Sequence, residues 1–329
     1  MRVTIKQIAG ICGLSIGTVD RALNGRPGIN AETRERVLAV AREMGYRPHL
    51  LARSLVTGSS MSIGVIVPNL KNPYFSELME VIQIKARSAG YHVYMMLSEF
   101  DVEEEQESLE RARALYVDGI IIMPVNRGRA FHAYMKSLAT PIVTISNRVA
   151  QQMPWVGIDD RLAQRDAVRY VVSRGYRQIV FVTQEKSPRL KDLPFYSDEQ
   201  RILGYRDALR EADSGFAPQV VTDADMIDTI RRTRLQDNPR TCIVCSCDAV
   251  ALEVMNALKA CGMRIPTDVG LMGFDNLEEL KYITPRLATV GSPIQRIGEE
   301  AFTALLETLR GGPSVNRVLE HRVIEGETV

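Results

Sequence analysis

The sequence predicts a small all-α N-terminal head followed by an α/β core of two doubly wound parallel-sheet lobes, and three observations carry that prediction. Residues 4–24 spell two short helices around a glycine turn. From Met61 onward apolar strand runs alternate with amphipathic helices, and the alternation restarts after Trp155-Val156-Gly157-Ile158-Asp159.

In the head, Thr4 and Ser15 stand where each helix needs an N-cap, and Gly13 stands where the turn between them needs a residue without a Cβ clash. Ile5, Ile8, Ala9 and Cys12 recur at helical spacing, and Val19, Ala22 and Leu23 face them from the second helix. Helices this short do not stand alone. A third begins at Asn30 or Ala31, runs through Val37, Leu38, Val40 and Ala41 to Met44, is stopped by Gly45, and closes the core. Arg2, Lys6, Arg21, Arg26, Arg34, Arg36, Arg42, Arg47 and Arg53 outnumber Asp20, Glu32, Glu35 and Glu43 in the first sixty residues. The whole chain carries a formal net charge of only +1, so the remainder is net acidic. A basic helical head on an acidic body points to a segment that faces nucleic acid.

In the core, Ser62-Ile63-Gly64-Val65-Ile66-Val67-Pro68 is a continuous apolar strand of the kind buried in parallel sheets. A helix over Ser76–Ala89 ends at Gly90, and strands follow at 91–97, 118–124 and 141–146. The charged run Asp101–Arg113 is a solvated helix face. The second lobe reads as a helix over Ala163–Arg174, a strand over Gln178–Val182, a polar loop over Glu185–Asp198, a helix over Arg201–Ala212, a strand over Thr241–Cys247, a helix over Ala249–Cys261 and a strand over Val269–Phe274. Two such lobes in tandem imply a cleft between them, lined by the side chains that follow each strand.

Several function classes fall away. No Gly-x-x-x-x-Gly-Lys run or Gly-x-Ser-x-Gly elbow is present, and His49, His92, His132 and His321 are dispersed, so no enzyme is expected. Five cysteines are an odd number without scaffold spacing, which fits reduced thiols; Cys242, Cys245 and Cys247 lie in a β-rich run and read as a buried strand rather than a metal site. No cofactor is expected. No apolar run reaches bilayer length and no signal peptide precedes the first helix, so the chain is expected to be cytoplasmic, with no membrane partner. That separates it from the alternative reading, a periplasmic-type sugar-binding protein with no DNA role.

Taken in order, these segments resemble the lactose-repressor (LacI/GalR) family of bacterial transcription regulators. The resemblance rests on the head, Thr33-Arg34-Glu35-Arg36-Val37, Gly45-Tyr46-Arg47-Pro48, Ala52-Arg53-Ser54-Leu55, Ile63–Pro68 through Asn72-Pro73-Tyr74-Phe75, Asp118-Gly119-Ile120-Ile121, Arg201 with Gly204-Tyr205, Ile265-Pro266 and Gly273-Phe274-Asp275-Asn276. It implies a homodimeric, effector-responsive regulator, a repressor of carbohydrate-utilisation genes, bound to double-stranded palindromic operator DNA. It further implies a head at 1–48, a hinge helix or linker at 49–60, and a core at 61–329 whose N-lobe spans about 61–160 plus 292–320 and whose C-lobe spans about 161–291 plus 321–329. No leucine heptad closes the chain, so a dimer is the default assembly.

Carried over residue by residue, the resemblance places the second helix in the major groove with Ile16, Gly17 and Arg21 at base edges. Thr18, Asn24 and Thr33 would hold phosphate, and the capping residues Thr4 and Ser15 complete the DNA-facing set. Leu55 would wedge between central base pairs. Asp20 stands where relatives usually carry serine; as a carboxylate beside a polyanion it is not expected to contact phosphate, and it would either accept from a cytosine N4 amine or, the favoured alternative, orient Arg21 or Asn24 while staying off the DNA. The effector, a sugar or polyol, would meet Tyr74, Phe75, Ser146, Asn147, Arg201, Cys247 and Asp275. Cys247 replaces an asparagine common in relatives, and no residue is assigned to catalysis or to a metal.

Overall fold

The computed structural model describes residues 3–46, 58–184, 195–212, 215–222, 240–313 and 315–329. Contacts divide the chain into two compact units, residues 1–60 and 61–329.

The first unit packs helices α1 (Ile5–Cys12), α2 (Ile16–Leu23) and α3 (Ala31–Glu43) around Ile8, Ala9, Cys12, Val19, Ala22, Val37 and Ala41, all buried. Each helix is started by its own side chain. Thr4 forms a reciprocal capping box with Gln7, Ser15 accepts from the Thr18 N–H, and Asn30 accepts from the Thr33 N–H. Gly13 ends α1 at φ 63°, a left-handed turn that glycine adopts without penalty.

The second unit holds two parallel sheets. The first orders β11 (Asn316–Leu319), β5 (Trp155–Ile158), β4 (Ile142–Ile145), β3 (Gly119–Ile122), β1 (Ser62–Val67) and β2 (His92–Leu97). The second orders β7 (Gln219–Thr222), β6 (Gln178–Thr183), β8 (Thr241–Cys245) and β9 (Gly270–Met272). In both, the first strand (β1, β6) lies inside and its successors go to opposite sides, so a crevice opens where the winding reverses. Helices α4 (Pro73–Ser88), α5 (Val102–Ala114) and α6 (Arg129–Ser137) serve the first sheet; α7 (Asp160–Ser173), α8 (Tyr196–Glu211) and α9 (Asp248–Ala260) serve the second. The chain returns through α10 (Ile294–Leu309), which packs on α4, before adding β11 beside β5. It then pairs β12 (Arg322–Ile324) antiparallel with β10 (Thr289–Gly291), and Thr328 bonds to Leu271 and Ala288.

Three helix starts differ from the sequence reading, the first being α4, which begins at Pro73 rather than Ser76. Helix α8 begins at Tyr196, not Arg201, because Asp198 and Glu199 sit in its first turn, where carboxylates favour the helix dipole; their polarity imitates a loop. Helix α7 begins at Asp160, capped by Asp159. The cysteine run forms β8, with Cys242 and Cys245 fully buried.

Glu105 ties α5 to the turn after β3. Fully buried, it accepts from Val125 N (2.6 Å) and Asn126 N (3.1 Å). Burial pushes its carboxyl up to about 8, against the opposing pull of those two N–H groups. The folded state therefore holds a proton that the unfolded chain releases near 4.5. The contribution of this proton to stability is complete below that value and is lost as pH rises through the folded pKa. Wild-type stability relative to the permanently neutral Glu105→Gln variant should fall by about 1.4 kcal/mol per pH unit between roughly pH 5 and 8 in urea unfolding. A pH-independent difference would mean that Glu105 is charged throughout.

Candidate functional site

On the head, burial of Val19 and Ala22 turns the opposite face of α2 outward. Ile16 is 53% exposed, and Gly17 and Arg21 are exposed beside it. The Ser15 and Thr18 hydroxyls pair at 2.9 Å at the start of α2. Asp20 orients Asn24, as one of the two expected alternatives has it: the Asn24 amide donates to Asp20 Oδ1 (2.8 Å) and to the Asp20 carbonyl (3.0 Å). Both amide protons are thereby used. The expected phosphate contact of Asn24 would require one of these donors to be released from Asp20. Asp20 also pairs with Arg26 at 3.4 Å and not with Arg21, which carries no ion pair among the described residues. Arg34 and Arg36 donate to the carbonyls of Arg26 and Cys12, so part of the basic excess braces the head. Leu55 lies outside the described residues.

In the core, the ends of the strands of both sheets surround a cavity of about 200 Å³. After β1, Asn69 Oδ1 accepts from Lys71 N and Asn72 N, and Asn72 caps α4, whose first turn opens with Pro73. This turn delivers Tyr74 and Phe75 to the cavity. Tyr74 Oη meets Ser146 Oγ at 2.8 Å, and burial in the apolar wall raises the phenol pKa. Edge-to-face contacts then run Tyr74, Phe75, Phe100, Phe195, with ring centroids 5.5–6.4 Å apart.

Arg201 lies on α8, and its guanidinium is shared among three segments. Nε donates to Asp160 Oδ1 at 2.9 Å, Nη1 donates to the Ser246 carbonyl, and Nη2 lies 3.9 Å from Asp275 Oδ1. Its flat face stacks 3.7 Å above Phe274. Burial opposes the charge on Arg201, but the surrounding carboxylates outweigh it and hold the pKa high. Asp160 and Asp275 are both raised, chiefly by burial, since one guanidinium is divided between them and Asp198 adds a further like charge. Asp275 sits at φ 119° and Ser146 at φ 55°. Backbone held in such sparsely populated regions costs about 1–3 kcal/mol per residue and tends to mark binding sites.

Supports behind these groups are glycine-dependent. A Cβ on Gly204 would lie 2.1 Å from the Arg161 carbonyl, so only glycine lets α8 approach α7 closely enough to seat Arg201 beside Asp160. A Cβ on Gly273 would lie 2.1 Å from Asp248 Oδ1. The Asp248 carboxylate pins the loop carrying Asp275, accepting from Thr289 Oγ1 (2.6 Å) and Leu277 N (3.0 Å).

Of the residues expected at the effector, Tyr74, Phe75, Ser146, Arg201, Cys247 and Asp275 line this cavity. Asn147 does not. Its amide donates to the Pro124 carbonyl (2.8 Å) and its oxygen accepts from Ser197 N (3.1 Å), which makes it a link between the lobes. The sequence reading missed Asp160, Asp198, Phe100 and Phe195. Asp160 and Phe100 both follow strand ends, the signal that could have found them. Among the described residues no histidine lines the cavity, and burial pushes the Cys247 thiol up, away from the reactive thiolate.

The family description "Bacterial regulatory proteins, lacI family" matches residues 4–49, and "Periplasmic binding protein-like domain" matches 168–329. The chain belongs to the lacI family. The regulator RegA of Clostridium saccharobutylicum is 28% identical to this LacI-family chain over 100% of it and 99% of the relative. The repressor CytR of Escherichia coli K12 is 29% identical over 94% of this chain and 90% of its own length. The lac repressor dimer bound to operator and the anti-inducer ONPF superposes with a TM-score of 0.85 at 22% identity, covering 100% and 99% of the two chains, a likeness of fold. This LacI-family chain is a DNA-binding transcriptional regulator, its relatives are regulators rather than enzymes, and among the described residues no helix is long and apolar enough to cross a membrane.

Gly204→Ala should force α7 and α8 apart and cost about 1–3 kcal/mol in chemical unfolding, the usual range for overpacking. Unchanged stability would show that the helices can part without loss.

Proposed function

We propose that this regulator is a cytoplasmic, non-catalytic, homodimeric repressor of carbohydrate-utilisation genes that reads a palindromic operator and responds to a sugar or polyol in the inter-lobe cavity. The convergence of Arg201, Asp275, Ser146 and Tyr74 on one small, aromatic-walled space carries the reading. The name of the relative solved with operator and an anti-inducer supports both ligand classes.

On the head, Arg21 donates two hydrogen bonds to guanine O6 and N7, Ile16 touches a thymine methyl, and Gly17 lets the backbone approach. Thr4, Ser15, Thr18 and Thr33 face phosphate, and Leu55 wedges the minor groove. In the core, Asp275 accepts from vicinal hydroxyls while Ser146 and Arg201 donate, against the faces of Tyr74 and Phe75 and beside Cys247. An effector shifts operator affinity only through its differential affinity for DNA-competent and DNA-incompetent states.

Arg21→Ala should cost about 1–3 kcal/mol on the specific site and flatten base preference at one position. An unchanged ratio of specific to random DNA binding would remove Arg21 from the base edges. For the cavity, Asp275→Asn is the informative change, since deleting Arg201 orphans two buried carboxylates. Fluorescence anisotropy with operator, across a panel of sugars and polyols, should show wild-type affinity shifting with one ligand and the Asp275→Asn protein not responding, with ligand-free affinity preserved. A full response from that variant would place the effector elsewhere.

A further inference from the structure

A second cavity, about 440 Å³ and more open, lies where Arg127 and Gly128 lead into α6, where Arg148 follows β4, and where Tyr196 opens α8. Two arginines line it. Arg127 gives Nη1 to Glu199 at 2.5 Å, while Arg148 has no carboxylate partner among the described residues. Its guanidinium instead stacks 3.8 Å over Trp155, and its Nε is buried without a hydrogen-bond partner. Stacking on Trp155 fixes the plane of the guanidinium, so the unused donors are held in place before any ligand arrives. Among the described residues, the nearby acids are engaged elsewhere: Asp159 caps Leu162 N, Asp160 holds Arg201, and Glu199 holds Arg127. Gly128, which lines the cavity, is the N-cap of α6, sits at φ 96° and offers no side-chain cap, so the positive end of a nine-residue helix begins beside it.

We propose that this cavity is a binding site for a phosphate group, held by Arg148 and Arg127 with the Tyr196 hydroxyl as a further donor. A bidentate arginine and a helix N-terminus are the usual means of holding a phosphate dianion. Tyr196 is the first residue of the helix that carries Ser197, Asp198 and Arg201 to the other cavity, so a bound phosphate bears on the same helix end. That consequence rests on the effector reading proposed above; phosphate binding does not.

The test is isothermal titration of the full chain, without DNA or sugar, using inorganic phosphate in one arm and glycerol phosphate in the other, against chloride at equal ionic strength. Saturable binding in either arm is expected, weakened about tenfold or more in Arg148→Gln and also in Arg127→Gln, each replacing charge-assisted hydrogen bonds. Tighter binding of the ester identifies a phosphorylated metabolite as the ligand, and equal binding identifies free phosphate. No saturable heat in either arm, or unchanged affinity in both variants, overturns the site. Should Arg148→Gln not fold, Arg127→Gln and Tyr196→Phe decide the matter by the same readout.

Discussion

A single buried guanidinium organises the core. Arg201 is largely excluded from water, and an unpaired charge there would cost about 3–5 kcal/mol, a large share of a typical protein's net stability. The fold meets this by bringing Asp160, Ser246 and Asp275, which are far apart in sequence, to one point. Each partner arrives at the end of a strand or the start of a helix, so the positions of both sheets are tied to the same ion. The glycine at 204, the Asp248 brace and the left-handed backbone at Asp275 all follow from placing three segments around one side chain.

The cavity is acidic as well as apolar. Asp160 and Asp275 share the Arg201 guanidinium, Asp198 adds a further carboxylate, and four aromatic rings occupy the walls. Among the described residues the cavity offers hydrogen-bond acceptors on one edge and an apolar face on another. The cavity at Arg148 has the opposite electrostatics. One helix, α8, borders both, so two neighbouring spaces of opposite polarity share a wall.

Features written in local sequence were legible. The capped helices of the head, the turn at Gly13 and the buried strand at Ser62–Val67 depend on residues within a few positions of each other. Resemblance supplied Arg201 and Asp275, but not Asp160 or Asp198, whose relevance arises only when α7 and α8 lie against each other. Asn147 shows the converse. A polar residue after a strand satisfied the rule for cavity lining, yet backbone groups at Pro124 and Ser197 claimed its amide first. The start of α8 was obscured because acidic residues favour both loops and first helical turns. Strands of three or four residues, such as β10 and β12, are too short to show periodicity. Helix α10 lies past the strand and helix alternation that revealed the lobes, although Ile294, Ile297, Ala301 and Leu305 carry helical spacing.

The return of the chain through α10, β11 and β12 has a consequence for biosynthesis. The head is contiguous and can form as soon as α3 leaves the ribosome. The first sheet of the core lacks that freedom, since β11 is contributed by residues 316–319, and Thr328 braces the edge of the second by bonding to Leu271 of β9. The core therefore reaches its native arrangement only after residues 316–328 have been translated. A nascent chain thus passes through a stage in which the basic head precedes an unfinished body whose apolar strands still lack their last partners.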